Sequence, residues 1–231
     1  MKYEEIYKGE FVSRPNRFIA NVIIDGKLET AHVKNTGRCE ELLVPGAVVY
    51  LQRHDPAKRK TKWSLISVVK GARIVNIDSQ APNKAVFEWL SNGGLPFDIT
   101  DIKPEFIYGG SRIDFLVTAG TQRILIEVKG VTLENDGIAM FPDAPTERGV
   151  RHLKELCNSL GDGFSAVVIF IIQMGGIKYF TPNVLTHKEF ADTLSHVSKK
   201  GVQVLAFDCS VGTDHMHIRN EVQVILHHTI S

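Results

Sequence analysis

The chain has few cysteines, and they are poorly placed for a shared task. Cys39, Cys157 and Cys209 are the three in 231 residues, odd in number and far apart, with no Cys-x-x-Cys pair. That excludes a disulfide-built scaffold and a zinc ribbon, and it fits a reducing cytoplasm. Long apolar runs are missing too. The longest, Phe164 to Gly175, falls short of the roughly 18 residues of a membrane helix. The opening Met-Lys-Tyr-Glu-Glu does not read as a signal peptide. The expectation is a cytoplasmic protein without a membrane partner. There are no repeats and no low-complexity segments. His215-x-His217 and His227-His228 have no cysteine or acidic partner at a ligand spacing, so neither is read as a metal site. No helix-turn-helix, RRM or zinc-finger pattern is present, which removes the common devices for reading base sequence.

What is present is an ordinary globular composition, 43% apolar and 23% charged. The net charge of +1 hides an asymmetry. Residues 1–80 carry 14 Lys and Arg against 9 Asp and Glu, a net +5; residues 81–231 carry 13 against 17, a net −4. A basic half joined to an acidic half suggests that one grips a polyanion while the other holds a cation.

The acidic half contains two short strand-like segments, Ile113-Asp-Phe-Leu-Val117 and Arg123-Ile-Leu-Ile-Glu-Val-Lys129. Between them Gly120 stands where a two-residue II′ turn wants glycine first. With Gly120-Thr121 as the turn, the register sets Asp114 opposite Glu127 and Arg112 opposite Lys129, all on one face. Two carboxylates facing at roughly 5 Å repel each other. A divalent cation between them removes that cost, and oxygen ligands suit Mg²⁺ or Mn²⁺. Lys129 can then hold a water or a phosphate oxygen. The bland alternative is an amphipathic hairpin with a charged, solvated face tied to Arg112.

The first 80 residues read as all-β. Asn21-Val-Ile-Ile-Asp25 and Lys27 to Val33 form a hairpin around Asp25-Gly26, and Val48 to Arg53 and Trp63 to Val69 are further strands. Short strands at this density suit a small barrel such as an OB-fold. Residues 36–43 are expected to add a short helix capped by Thr36. Asp78 to Asn83 reads as the boundary. Beyond it the pattern predicts a helix from Lys84 to Ser91, the hairpin, a loop over 134–146, and a helix from Pro145 or Thr146 to about Leu160. A doubly covered strand at Ala166–Ile172, a helix near Lys188–Lys199, a strand near Gln203–Asp208 and one more near Glu221–Leu226 complete an α/β sandwich.

The Asp, the hairpin and the Glu-x-Lys resemble the PD-(D/E)XK nuclease superfamily, with Ile113 in place of the proline of that name. Arg14-Pro-Asn-Arg-Phe18, Asn35-Thr-Gly-Arg-Cys39, Asp78-Ser-Gln-Ala-Pro-Asn83, Glu127-Val-Lys-Gly-Val-Thr-Leu133 and Phe141-Pro-Asp-Ala-Pro-Thr-Glu-Arg-Gly149 occur in this order. Over nearly the whole length they resemble the sugar fermentation stimulation protein A (SfsA) family. The resemblance implies a two-domain DNA-binding protein: an OB-fold-like β-barrel over residues 1–80, then a restriction-endonuclease-like α/β domain over 81–231.

The catalytic candidates are Asp114, Glu127 and Lys129, with Asp114 and Glu127 as metal ligands. The superfamily often adds a carboxylate from the preceding helix, which makes Glu88 a third candidate ligand. Arg148, at the start of a helix, can clamp a phosphate or pair across a turn with His152 or Glu155. In the basic half, Arg14 and Arg17 beside Phe18, then Lys34, Asn35 and Arg38, then Arg59 and Lys60 before Trp63, interleave cations with aromatics as a nucleic-acid groove does. The reading is a DNA-binding protein of little sequence preference and a Mg²⁺- or Mn²⁺-dependent nuclease. RNA stays open as a substrate, and so does a homo-oligomeric state. The alternative is a non-catalytic DNA-binding regulator of sugar (maltose) metabolism genes on an inherited nuclease fold.

Overall fold

The computed structural model describes residues 1–35, 37–55, 57 and 61–226. Arg59, Lys60, Thr36 and the His227-His228 pair lie outside the described residues. The first five strands are β1 (Ile6–Asn16), β2 (Ile19–Ile24), β3 (Lys27–Val33), β4 (Val48–Arg53) and β5 (Trp63–Lys70). They pair in the order β3-β2-β1-β4-β5, and a β3–β5 pairing closes the barrel. A sixth strand, β6 (Arg73–Asn76), extends β5. Asp25 and Gly26 both take positive φ, as a I′ hairpin turn requires. Phe11, Val22, Val33, Leu51 and Leu65 fill the barrel core. Residues 37–46 form turns rather than the expected helix.

The acidic half is a three-layer α/β sandwich. Helix α1 (Ala81–Ser91) leads to β7 (Asp101–Tyr108), β8 (Ser111–Ala119) and β9 (Gln122–Val131). Two small strands, β10 (Leu133–Asn135) and β11 (Ile138–Phe141), precede α2 (Glu147–Ser159). Then come β12 (Ser165–Ile172), β13 (Tyr179–Pro182), α3 (Lys188–Lys199), β14 (Gln203–Val211), β15 (Met216–Glu221) and β16 (Gln223–Val224). The main sheet runs β15-β14-β12-β9-β8-β7, and a four-stranded sheet runs β10-β11-β13-β16. β9, β12 and β14 are parallel.

Alternation along the central strands explains the layers. Val167, Ile169 and Ile171 join the core under α1, whereas Val168, Phe170 and Ile172 join the core with Leu153 and Leu156 of α2 and Phe190 of α3. On β9, Ile124, Ile126 and Val128 lie on the α1 side and Leu125 on the α2 side. The same alternation turns Glu127 and Lys129 toward α2. Thr146 caps α2 by accepting the Gly149 N–H at 3.0 Å. α1 starts three residues before the expected Lys84, because Pro82 sits in the first turn, where its missing N–H costs nothing. No helix among the described residues is long and apolar enough to cross a membrane.

Candidate metal and nucleic-acid site

The β8–β9 hairpin has the expected register, from Ala119↔Gln122 to Phe115↔Ile126. Gly120 takes φ +58° at the turn, where an L side chain would be strained. The ladder ends one pair before Asp114 and Glu127 would face each other. At that point the Asp114 side chain replaces the backbone partner: Oδ2 accepts the Val128 N–H at 2.8 Å. Its other oxygen, Oδ1, accepts from Asn83 Nδ2 of α1 at 2.7 Å. Burial, and then the charge of Glu127, push the Asp114 carboxyl above its ordinary value; the Val128 amide, Asn83 and Lys129 oppose this in part.

Glu127 is 2% exposed. Its Oε1 receives Lys129 Nζ at 2.6 Å and is also bonded to His152 Nδ1 from α2. Burial alone would raise the Glu127 carboxyl, but Lys129 and His152 outweigh it, and the net direction is down. Among the described residues Oε2 is buried with no hydrogen-bond partner. Leaving such an acceptor unpaired is costly, so a buried carboxylate oxygen of this kind is suited to a cation. With the raised Asp114 carboxyl beside it, the donor set fits a hard divalent ion. Arg112 does not face Lys129. It pairs instead with Glu105 of β7 at 3.6 Å, so the bland reading of a face tied to Arg112 does not describe this hairpin.

Glu88 bonds the amino group of Met1 and is about half exposed. It lines an open cavity of about 530 Å³ together with Asn83, Lys84, Phe87, Lys2 and Asp114. Arg148 is exposed, and its Nε donates to His152 Nε2 at 3.2 Å. Arg148 therefore does pair with His152, and through it reaches Glu127. His152 and Asn83 are the site residues that the sequence reading missed. The visible signal was the Arg148-x-x-x-His152 spacing, one helical turn.

The basic candidates of the barrel divide. Arg14 donates Nη1 to the carbonyls of Gly37 and Arg38 at 2.9 and 2.6 Å, and Nη2 to those of Arg17 and Asn35 at 2.9 and 2.7 Å. Its guanidinium shapes the loop. Lys34 is bound to the buried Asp78 at 2.7 Å. The Asn35 carboxamide accepts the Gly37 N–H at 2.8 Å. Arg17 and Arg38 are exposed and line, with Asn16, a surface pocket of about 350 Å³. The Arg17 guanidinium lies 4.8 Å over the Phe18 ring. The backbone N–H of Arg38 bonds Asp143 at 3.1 Å, and a small cleft joins Asn35 and Asp143 to Gly130 and Thr132. The barrel loop and the end of the strand that carries Glu127 and Lys129 thus line one cleft.

His215 bonds Asp214, and His217 lies beside the Met1 amino group. Elsewhere, Glu147, His187 and Glu189 hold ligand atoms within 4.8 Å of one another. His187 Nδ1 accepts the Thr146 N–H, so the ring proton sits on Nε2 facing Glu147. That leaves this ring no lone pair for a cation.

Comparison with known proteins places the chain in a family. Residues 12–77 match the SfsA N-terminal OB domain, and residues 80–215 match the sugar fermentation stimulation protein RE domain. The chain belongs to the SfsA family. Sugar fermentation stimulation protein homologs from Clostridium beijerinckii and Ruminiclostridium cellulolyticum are each 58% identical to it over 226 residues, covering 98% of this chain and 100% of theirs. A solved structure of Pyrococcus furiosus SfsA in complex with Ca²⁺ superposes with a TM-score of 0.89 at 29% identity, over 97% of this chain and 98% of that one. The closed five-stranded SfsA barrel and the restriction-endonuclease-like SfsA domain are both present.

Proposed function

We propose that this SfsA protein binds DNA with little sequence preference and hydrolyses phosphodiester bonds with Mg²⁺ or Mn²⁺. The observation that carries the reading is Glu127 Oε2, buried and unpartnered among the described residues, beside the raised carboxyl of Asp114. Asp114 and Glu127 would hold the ion; Glu88, kept by Met1, stays at the rim of the adjoining cavity. A divalent ion bound there would supply Lewis acidity and an activated water. Lys129 contributes a cation beside the same carboxylate, placed to orient a water or to offset charge on the phosphate. The Ca²⁺ complex of the Pyrococcus relative supports an oxygen-rich cation site.

Exposed Arg17 and Arg38 of the barrel would take backbone phosphates, with Phe18 offering a stacking face. Backbone-directed binding of this kind is salt-sensitive and largely blind to sequence. The rival is a non-catalytic DNA-binding regulator of sugar metabolism genes. The family name favours it, as does the internal Lys129–Glu127 ion pair, which a retired site can also keep. Labelled single- and double-stranded DNA and RNA, incubated with Mg²⁺, Mn²⁺ or EDTA, separate the two: metal-dependent cleavage supports the nuclease, and binding without cleavage supports the regulator.

A further inference from the structure

The two oxygens of Glu127 have opposite surroundings. Oε1 receives two donors, Lys129 Nζ and His152 Nδ1; Oε2 receives none from the described residues. Turning the carboxylate out of its plane would break both bonds at once, so the donors fix that plane and leave the second oxygen free. They differ in stiffness. Lys129 is on the same strand and reaches back along a flexible four-carbon stem. His152 arrives from a different element and is 3% exposed. Its helix is clamped by the buried Val150, Leu153 and Leu156 and by the Thr146 cap.

The ring itself is also fixed. A guanidinium only donates, so His152 Nε2, which takes the Arg148 Nε–H, must be an acceptor. The neutral imidazole then carries its proton on Nδ1, where it donates to Glu127. Arg148 thus selects the tautomer that suits the carboxylate. A ring of either tautomer would pack equally well, so packing alone does not explain the arrangement.

We infer that His152 is a positioning residue of the metal site, holding Glu127 with Oε2 free for the cation, and that Arg148 fixes the His152 tautomer. This rests on Asp114 and Glu127 being the metal ligands. Outer-shell partners of ligating groups commonly contribute about 10–100-fold to metal affinity.

The test is calorimetric titration of the full chain with Mn²⁺ alone, without nucleic acid, alongside metal-free melting curves. His152→Leu, similar in size but without a donor, should bind Mn²⁺ about 10-fold or more weakly. His152→Asn, whose side-chain N–H can reach toward Oε1, should recover most of that loss. Arg148→Ala is at the surface and keeps the fold; it should weaken Mn²⁺ severalfold, and it carries the test if His152→Leu does not fold. A His152→Leu protein that folds and binds Mn²⁺ like the parent overturns the inference, and so does an Asn variant no better than Leu. Parent-like Mn²⁺ binding by Arg148→Ala overturns the tautomer role. A parent that takes up no Mn²⁺, with its fold intact, removes the metal reading itself and this inference with it.

Discussion

Lys129 Nζ lies 2.6 Å from Glu127 Oε1, two residues back on the same strand face. The contact helps hold Glu127 ionised, while Asp114, on the neighbouring strand, is pushed the other way. Burial and the Glu127 charge raise the one carboxyl, whereas Lys129 and His152 lower the other. The cost of keeping both charged at neutral pH falls on the metal-free protein.

That cost can be measured. Asp114 has a folded pKa raised above its ordinary 3.8, so the folded state holds its proton more tightly than the unfolded state does. Its contribution is neutral at low pH and turns against folding as pH rises from about 4 through the folded pKa. Glu127 has the opposite sign: lowered from 4.5, it contributes stability above that value that is lost as pH falls through the folded pKa. Asp114→Asn removes the first effect. Its amide oxygen can still accept from Val128, and Asn83 can turn its own amide to match. Metal-free Asp114→Asn should therefore melt at or above the parent at neutral pH, with the difference narrowing toward about pH 4. The rise in melting temperature that Mn²⁺ gives the parent should disappear. An equal Mn²⁺ response in both proteins would remove Asp114 from the ligand set.

The barrel arginines should separate by role. Arg14→Ala deletes four donations to carbonyls and should cost about 2 kcal/mol or more of stability, since bonds from a charged donor are worth about 1.5–3 kcal/mol each. Arg17→Ala and Arg38→Ala should leave the melting temperature nearly unchanged. Each should weaken DNA binding similarly for all sequences and lower the salt slope by about one unit. Filter binding across a salt series checks this; an unchanged slope in both variants would take the barrel out of the phosphate path.

The strongly patterned parts of the fold were legible in sequence. Gly120 between two branched runs set the hairpin and its register, and the Ala166–Ile172 run announced a strand covered on both faces. β7 was missed: Pro104 lacks the N–H that a strand ladder uses, and Glu105 takes φ +54° in the middle of the strand. β10 and β11, of three and four residues, were hidden in what looked like a loop. Of the candidate site, Asp114, Glu127 and Lys129 followed from local spacing. Lys34 and Arg14 read as free cations because their partners, Asp78 and loop carbonyls, are brought together only by the folded chain. Asn83 was invisible for the same reason, and His152 appeared only as a neighbour of Arg148.

The most direct measurement is cleavage of labelled single- and double-stranded DNA and RNA by the full chain, with Lys129→Ala beside the parent. The nuclease reading predicts cutting with Mg²⁺ or Mn²⁺ and none with EDTA. Lys129→Ala should keep nucleic-acid affinity within a few-fold and Mn²⁺ affinity nearly intact, because Oε1 retains His152. Its cutting rate should fall by about 10²-fold or more, typical of losing a group that acts on the transition state. No cutting with any metal, or a Lys129→Ala protein that cuts as fast as the parent, would contradict it.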